Sequence, residues 1–564
     1  MIYGLFDKAE VQATQKRMER NRSAIDQYWS LVARLVYPEM DGFNSKSMKK
    51  FHTMRHPGEM GTHDPYAALA LDDGVSVAQG FVTPHGKRYQ KLALPAVLMD
   101  NVANQQWVED IEELLFEMRD DPESGFVQSI HQSFMSLYAF SAQSMWVDAR
   151  YDPMGQPIGL RYESEFIGEI YWERDSRSGF MRIHRKFSLT AEQALHRFKD
   201  DAPKAVKGAV KDDNKSQTFE FIHVIAANEK FDPERIDAMG KPIKGCYYIC
   251  GDDDEVFLEG GYNSMPRIGS VFTPTATSDW GYSPTMRVLP QILRLQEIDN
   301  DRTIAAELRL LPAFLAADDE LDGAILDMTS GGITHGGLDE RGNAMYQPID
   351  LVGDATDALN LVQEARAAID KAYGRDLLQI NRELKTHITA TRTAEEMAEK
   401  GVLLAPLARQ EANWISPMTK RELALLEDMG MLPEMPPGVQ EYFEENGALH
   451  WTYDNQLSRL RKAEDTAAFL GFAEQVAALG QMGDEEGRQK LMQAFDRNFD
   501  PDRVVEMLAD NAVIPARVKR TDEERAAYDE QASEDSERQA LLEAVPVIAD
   551  AAKNAAAAGA GGLG

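Results

Sequence analysis

Three groups of residues have types and spacing that could support chemistry. The first, from Gly80 to Arg88, resembles the glycine-rich loop that binds nucleotide phosphates, in which a lysine follows the second glycine. Five residues rather than four separate its glycines, and Arg88 stands where the Mg²⁺-binding hydroxyl belongs. Pro84 also removes a backbone donor that a phosphate would need. The pattern therefore favours a turn after a helix over a nucleotide site.

Histidines and carboxylates form the other two groups. His52, His56 and His63 could suggest zinc, but the glutamate of a metalloprotease helix is missing and an adjacent Pro-Gly pair indicates a loop. The acidic runs 251–255 and 318–320 could hold a cation or the carboxylates of a nuclease. Neither run has the glycine spacing of a calcium loop, so solvated turns are the better interpretation. We expect no metal, no cofactor and no enzymatic activity.

The chain is strongly acidic, with a formal net charge of −33 over 564 residues. Proteins that bind DNA tightly neutralise phosphates with basic side chains, so an ordinary DNA-binding protein is not expected. The charge suits either a well-solvated surface or a conduit through which DNA slides without sticking. We expect no membrane span and no signal peptide. Cys246 and Cys250, four apart on a predicted strand, are expected to remain unbridged.

Hydrophobic periodicity assigns the elements that must position any site. Aromatic and β-branched residues predict strands between about 141 and 273. Two long helices, 283–311 and 354–373, flank a glycine-rich segment, and the middle of the first is polar nearly all round, which is typical of helices that pair with copies of themselves. The predicted helices up to residue 373 lie at 6–36, 64–81, 103–119, 124–140, 190–199, 283–311 and 354–373.

The most distinctive stretch runs from Lys371 to Glu434. A polar, basic segment leads into a long helical pattern, which begins with a capping box at Thr393–Glu396. Pro406 and Pro417 lie inside the pattern and predict kinks, because each removes a helix donor. Gly430 ends the helix. A bent helix of this length, entered from a basic loop, is unusual in a small-molecule enzyme.

This stretch resembles the portal, or head-to-tail connector, proteins of short-tailed bacteriophages. In that family a Thr-Ala-Thr motif precedes a long helix that contains a proline turn and an Arg/Glu step and ends in Gly-x-Leu-Pro. The corresponding residues here are Thr389–Thr391, Leu403–Leu407, Arg409 with Glu411, although at a different spacing, and Gly430–Pro433. Residues 64–84, 453–459 and 500–520 are similar to further family blocks, so the resemblance covers most of residues 1–520.

The resemblance implies a mixed α+β fold, mainly α, which is the phage portal fold assembled as a closed ring. It divides the chain into wing, stem, clip and crown regions. In chain order these are the wing 1–282 with its β-rich part at 141–273, the stem helix 283–311, the clip 312–353, the second stem helix 354–373, the tunnel loop 374–390, the long kinked wing helix 391–434, the helical crown 435–535 and a partly disordered Ala/Gly-rich tail 536–564.

Two sets of site residues follow from this assignment. The tunnel loop and the residue just beyond it would make weak, sequence-independent contacts to DNA phosphates through Arg375, Arg382, Lys385, His387 and Arg392. The stem helix carries an apolar stripe that one chain is not expected to bury alone, so it predicts an oligomer interface. The residues of that stripe are Met286, Leu289, Leu293, Ile304 and Leu308.

The resemblance also implies function and partners. The protein would line the channel at one capsid vertex through which DNA is packaged and ejected, after assembly in the host cytoplasm. Its partners would be further copies in a dodecamer, double-stranded DNA, the terminase large subunit, major capsid and scaffolding proteins, the tail adaptor and internal core proteins, with no membrane. Two alternatives stay open. A DNA-processing enzyme such as a terminase or nuclease should have a nucleotide loop, and a scaffold or internal virion protein should lack the small module between two long helices.

Overall fold

The structure is a computed structural model that describes most of the chain up to residue 310 and parts of the remainder. The described residues are 4–40, 64–86, 88–99, 101–175, 179–251, 255–275, 278–310, 355–375, 407–446 and 450–453, with short stretches between 314 and 348 and between 466 and 531. They belong to two compact units. The first comprises residues 1–83 and 121–425, and the second comprises residues 84–120 and 426–564.

The described residues form runs of helices and runs of strands. The helices are α1 Lys8–Leu35, α2 Tyr66–Val82, α3 Ala96–Met99, α4 Val102–Asp120, α5 Phe126–Phe140, α6 Ala191–Phe198, α7 Lys204–Lys211, α8 Pro284–Leu310, α9 Ala355–Tyr373, α10 Ser416–Asp428, α11 Pro437–Asn446 and α12 Pro501–Asn511. The strands are β1 Gln90–Ala93, β2 Ala142–Tyr151, β3 Pro157–Glu165, β4 Ile170–Asp175, β5 Gly179–Thr190, β6 Thr218–Ala227, β7 Ile243–Cys250, β8 Glu255–Tyr262, β9 Arg267–Val271, β10 Phe314–Ala316, β11 Tyr346–Pro348 and β12 His450–Tyr453.

The predicted mixture of helices and strands is confirmed. Each predicted helix up to residue 373 corresponds to an observed one within two residues at either end, and β2 to β9 fall inside the predicted range 141–273. The sequence analysis misses the short helices α3 and α7. Of the predicted clip, the structure describes little beyond the antiparallel pair β10–β11. The assignment to wing, stem, clip and crown remains a prediction.

The first unit contains two antiparallel sheets. Strands β4-β5-β6-β7-β8 form the larger sheet in that order, and β3-β2-β9 form the smaller one. Successive side chains alternate between the faces of a strand, so Phe221 and Ile222 of β6 point to opposite sides. Ile222 packs with Val11 of α1, and Phe221 packs with Phe198 of α6 and Val206 of α7. The larger sheet is therefore covered on both faces by helices.

The predicted kinked helix is described from residue 407 onward. Helical residues 407–410 lead into the π-helical turn Glu411–Ile415, which leads directly into α10. Pro417 lies in the first turn of α10, and a wider turn accommodates a residue that cannot donate a backbone hydrogen bond. Gly430 has φ +67° just beyond the helix, as a glycine that ends a helix should. Pro406 lies outside the described residues.

The second unit is built around α4 and the antiparallel pair β1–β12. Arg119 of α4 is buried and donates to Gln90 Oε1 at 2.7 Å and to Tyr89 Oη at 3.0 Å. Glu112, two turns earlier on the same helix, accepts the Leu92 backbone N–H at 2.8 Å. Burial raises the pKa of its carboxyl to about 7. Polar groups of α4 therefore hold β1 in place.

Among the described residues, no helix combines the length and apolar character needed to cross a bilayer.

A buried carboxylate joins the two sheets of the first unit. Glu165, at the end of β3, accepts two hydrogen bonds from Arg267 of β9, at 2.6 and 2.9 Å, and one from Arg185 of β5 at 2.9 Å. Ser144 of β2 donates a fourth at 2.8 Å. Burial alone would raise the pKa of Glu165, but the two guanidinium groups outweigh it and lower the pKa to about 2. The carboxylate thus stays charged at any physiological pH and holds both sheets.

Replacing Glu165 with Gln should destabilise the fold strongly, because Arg267 would remain buried without its counter-charge. We expect a loss of about 3–5 kcal/mol in the free energy of unfolding. Glu163→Gln is a matched control on the same strand, since Glu163 is half-exposed and its nearest guanidinium nitrogens lie at 3.6 and 3.8 Å. That variant should change stability by less than about 1 kcal/mol. Chemical denaturation of both variants checks these values. Equal effects would contradict the role of Glu165 as the buried counter-charge of Arg267.

Candidate functional site: the α8–α9 helix pair

The helices predicted as the stem, α8 and α9, lie side by side. In the inner part of the pair, Ile292 and Leu295 of α8 and Val362, Ala365 and Ile369 of α9 are buried. These positions recur at helical spacing, so each helix turns one apolar face inward. The pair thus has its own core where it joins the rest of the unit.

Hydroxyl groups anchor this end of the pair to α5. Ser283, just before α8, donates to the Ala139 carbonyl at 3.0 Å, and Thr285 donates to the Tyr138 carbonyl at 2.8 Å. These carbonyls belong to the last turn of α5, where no intrahelical partner is available. Tyr373, at the end of α9, lies 2.7 Å from Thr285 Oγ1. Because the only Thr285 hydroxyl hydrogen is already committed to Tyr138, Tyr373 must donate this bond, which links all three helices.

Helix α2 approaches the end of α9 closely at a glycine. A Cβ atom added at Gly74 would lie 2.7 Å from the carbonyl oxygen of Tyr373 and 2.8 Å from its Cβ. A Cβ atom essentially never makes contacts this short, and part of the opposing surface is backbone that cannot rotate away. Gly74 is therefore required for the packing of α2 against α9.

A second anchor lies at the start of α2. The side-chain amide of Gln296 in α8 pairs with both backbone groups of Asp64, donating to its carbonyl at 2.6 Å and accepting from its N–H at 3.0 Å. The Asp64 carboxylate accepts the Tyr66 N–H at 2.7 Å and a hydrogen bond from Arg366 of α9 at 2.7 Å. Asp64 therefore accepts the first backbone N–H of α2 and joins this helix to both helices of the pair.

Tyr66 lies at the centre of a charged cluster beside this anchor. Its hydroxyl donates to Asp370 at 2.6 Å and accepts from Arg375 at 3.1 Å. Arg375 also donates to Asp370 and forms an ion pair with Asp73, both at 2.8 Å. The guanidinium groups of Arg366 and Arg375 lie 4.7 and 5.4 Å from the Tyr66 ring centroid, within cation–π range. Burial, reinforced by the bond to Asp370, raises the pKa of Tyr66 to about 12, so its hydroxyl remains a donor at neutral pH.

Of the five residues predicted to face DNA, Arg375 lies in the described part of the chain. Arg375 is held by two carboxylates and a tyrosine within its own subunit. Arg382, Lys385, His387 and Arg392 lie outside the described residues. Contact between this set and DNA stays a prediction.

The predicted interface stripe on α8 divides into two parts. Met286 and Leu289 are buried inside the subunit, because the first turns of α8 lie against α5, so here the structure differs from the predicted position at an interface. Leu293 and Ile304 are 42% and 46% exposed. From 297 to 307 no residue of α8 is buried. The side chain of Leu308 lies outside the described part. The described part of the chain thus leaves the outer half of α8 without a buried side chain.

Other candidate chemistry identified in the sequence finds no support. Thr83 to Gly86 form a turn after α2, as the sequence predicts for the loop that resembles a phosphate site. Among the described residues, no three potential metal ligands lie together. The three histidines lie outside that part of the chain, as do residues 252–254 and 318–320 of the acidic runs. Sequence reasoning missed the roles of Asp64, Tyr66, Gln296 and Asp370, although Asp64 and Tyr66 fall in one of the blocks that carried the family resemblance.

Comparison with known proteins gives this helix pair its context. The chain matches the family of bacteriophage head to tail connecting proteins over residues 8–518 and belongs to that family. It is 23% identical over 535 residues to the portal protein of Salmonella phage epsilon15, in an alignment that covers 93% of this chain and 91% of the relative. The predicted resemblance to phage portal proteins is thereby confirmed, and the function is that of a phage portal protein, a structural part of the capsid vertex. The matches give no support to the terminase or nuclease alternative.

Gly74→Ala should weaken the contact between α2 and α9, at a cost of about 1–3 kcal/mol in unfolding free energy, because backbone atoms of Tyr373 cannot yield. Gly80→Ala is the matched control on the same helix, where an added Cβ meets nothing within 4 Å. It should stabilise the protein by about 0.5–1 kcal/mol, since alanine favours the helix. Thermal and urea unfolding of both variants would check the opposite signs, and two effects of the same sign would contradict the close approach.

Proposed function

We propose that this chain assembles as a closed dodecameric ring whose channel conducts double-stranded DNA during packaging and ejection. The observation that carries the proposal is the contrast between the two ends of the helix pair. The inner end is anchored to α5 and α2 by buried hydrogen bonds, whereas residues 297–307 of α8 have no buried side chain. A long helix that is held rigidly and left uncovered is suited to packing against equivalent helices of neighbouring copies.

Apolar and charged side chains on the outer helices support this packing. Leu293 and Ile304 of α8 and Leu359 of α9 are each more than 40% exposed, and they would be covered in a ring. Both signs of charge accompany them on α8, including Asp301, Arg302 and Glu307. Alternating charges allow neighbouring copies to pair in one register and disfavour others.

The channel itself is proposed to be lined by the segment 374–390. In a ring of about a dozen copies the formal charge would reach a few hundred negative units, partly screened by salt, so DNA would be repelled from most of the inner surface. Arg382, Lys385 and His387, with Arg392 just beyond, would then provide a few phosphate contacts. Contacts of this kind are weak and sequence-independent, and they can retard DNA without holding it in one position.

The remaining partners are proposed by region. The clip 312–353, whose two described strands β10 and β11 pair near its ends, would contact the terminase large subunit during packaging and the tail adaptor afterwards. Short strands with open edges suit strand addition by a partner. Major capsid, scaffolding and internal core proteins would surround the ring in the virion, after assembly in the host cytoplasm.

Assembly is tested by placing charges on the outer helix. In Leu293→Asp/Ile304→Asp the carboxylates would be buried without partners between copies, and analytical ultracentrifugation should show mainly species smaller than the ring. Met154→Asp/Ile236→Asp adds the same charge at two loop residues that are 88% and 99% exposed, and it should leave assembly unchanged. Electron micrographs of both proteins provide a second readout. Intact rings from the α8 variant would refute this interface.

The DNA contact is tested by removing two cations from the segment 374–390. Arg382→Ala/Lys385→Ala should assemble normally and retain packaged genome less well than the parent. The difference should be largest at low ionic strength, where counterion release makes each phosphate contact strongest. Lys204→Ala/Lys211→Ala removes the same charge from exposed ends of α7 and should retain DNA like the parent. Retention equal to the parent's in the first variant would remove this segment from the channel.

A further inference from the structure

Charged groups join the end of α9 to the first turns of α2, and assembly of the ring does not require these contacts. We propose that Tyr66, Asp73, Asp370 and Arg375 form an ionic latch that fixes the end of α9 against α2, and that Arg375 is the anchor of this latch rather than a contact to DNA. All of the contacts lie within one subunit. The latch therefore does not depend on ring formation or on the presence of DNA.

The backbone at the end of α9 supports the latch. Gly374 adopts the left-handed conformation, with φ +73°, and its N–H donates to the Lys371 carbonyl. The Arg375 N–H donates to the Asp370 carbonyl at 3.0 Å. This pair of bonds is the Schellman arrangement, in which a left-handed glycine closes a helix and turns the chain back on it. Arg375 is thus held to Asp370 by its backbone as well as by its side chain.

The guanidinium group of Arg375 has little capacity left for a phosphate. One terminal nitrogen donates to Asp370 and to the Tyr66 hydroxyl, and the other lies 2.8 Å from Asp73. Its side chain is 27% exposed. A DNA phosphate would have to displace the hydrogen-bonded carboxylate of Asp370 and the ion-paired carboxylate of Asp73, and the exchange would gain little because one anion replaces another.

The other side of Tyr66 makes the latch part of a larger unit. Arg366, one helical turn before Asp370, lies over the same ring and bonds to Asp64, whose backbone is held by Gln296 of α8. Tyr66 therefore sits between Arg366 of α9 and Arg375 just beyond it, and each of these arginines is paired with an acidic residue just before α2 or within it. The arrangement sets the position and direction in which the chain leaves α9 toward the segment 374–390.

Limited trypsin digestion of the full-length protein reads the latch directly. Trypsin must take the Arg375 side chain into its own pocket, so the bond after Arg375 can be cut only when the latch opens. Tyr66→Phe removes one hydroxyl and Asp370→Asn one charge, and each should raise cleavage after Arg375 about fivefold relative to cleavage after the exposed Lys230. Glu364→Gln, an acid-to-amide change on an exposed position of α9, should leave the ratio unchanged. Mass spectrometry of the fragments gives both rates.

Two outcomes of the digestion would overturn the latch. The first is a parent-like ratio in both variants. The second is an equal rise at both bonds, which would indicate general loosening of the fold rather than release of one side chain.

A conservative variant separates the latch from a DNA contact. Arg375→Lys keeps the charge, but an ammonium group cannot reach Asp73, Asp370 and the Tyr66 hydroxyl together as the planar guanidinium does. It should therefore show the raised cleavage ratio, and Arg375→Gln should retain packaged DNA no worse than Arg375→Lys. If Lys restores full DNA retention where Gln loses it, Arg375 contacts DNA and the proposal is wrong. The ring and channel could still be correct in that case, since the assembly and Arg382/Lys385 variants test them separately.

Discussion

The helix pair depends on hydrogen bonds that the hydroxyls of Ser283 and Thr285, at the start of α8, donate to the last carbonyls of α5. A helix that projects from a folded body can be directed only from its base, and Thr285 and Ser283 provide that base. Tyr373 closes the arrangement from α9. Each of these groups is buried, so each would destabilise the protein if it lacked a partner. The mutual satisfaction of these donors and acceptors fixes the start of α8 against the end of α9, while residues 297–307 of α8 have no buried side chain.

The formal charge of −33 follows from 93 acidic against 60 basic residues, and part of the arginine is in addition committed to the fold. Several arginines are buried and bonded within the subunit, among them Arg22, Arg119, Arg267 and Arg421. Each joins segments that are distant in sequence, as Arg267 does between the two sheets. Guanidinium groups suit this role because they present several donors in a fixed plane. Cations used in this way contribute to the fold and are not available to DNA.

Local pattern allowed the helices, the strand-rich region and the family resemblance to be predicted, because periodicity and turn residues act over a few positions. An irregular turn near Pro417 was equally predictable, since proline lacks a donor wherever it occurs. The pairing of Asp64 with Gln296 was not, because the partners are 232 residues apart and neither has an unusual local sequence. The same limit applies to Met286, Leu289 and Arg375. The sequence shows that these side chains are apolar or basic. It does not show whether other residues of the same chain bury or neutralise them.

The π-helical turn at Glu411–Ile415 has a consequence for how this part of the chain can vary in length. A π turn contains one residue more than an α turn, so loss of one residue here would convert it into continuous α-helix. Every residue on its N-terminal side would then rotate by about 100° and shift by about 1.5 Å relative to α10. Gln410, which donates to the carbonyls of Val271 and Phe272 at 3.0 and 3.3 Å, would turn away from them. The extra residue thus sets the rotational phase between the two parts of the long helix, and a deletion at this point would alter the phase while leaving every helix intact.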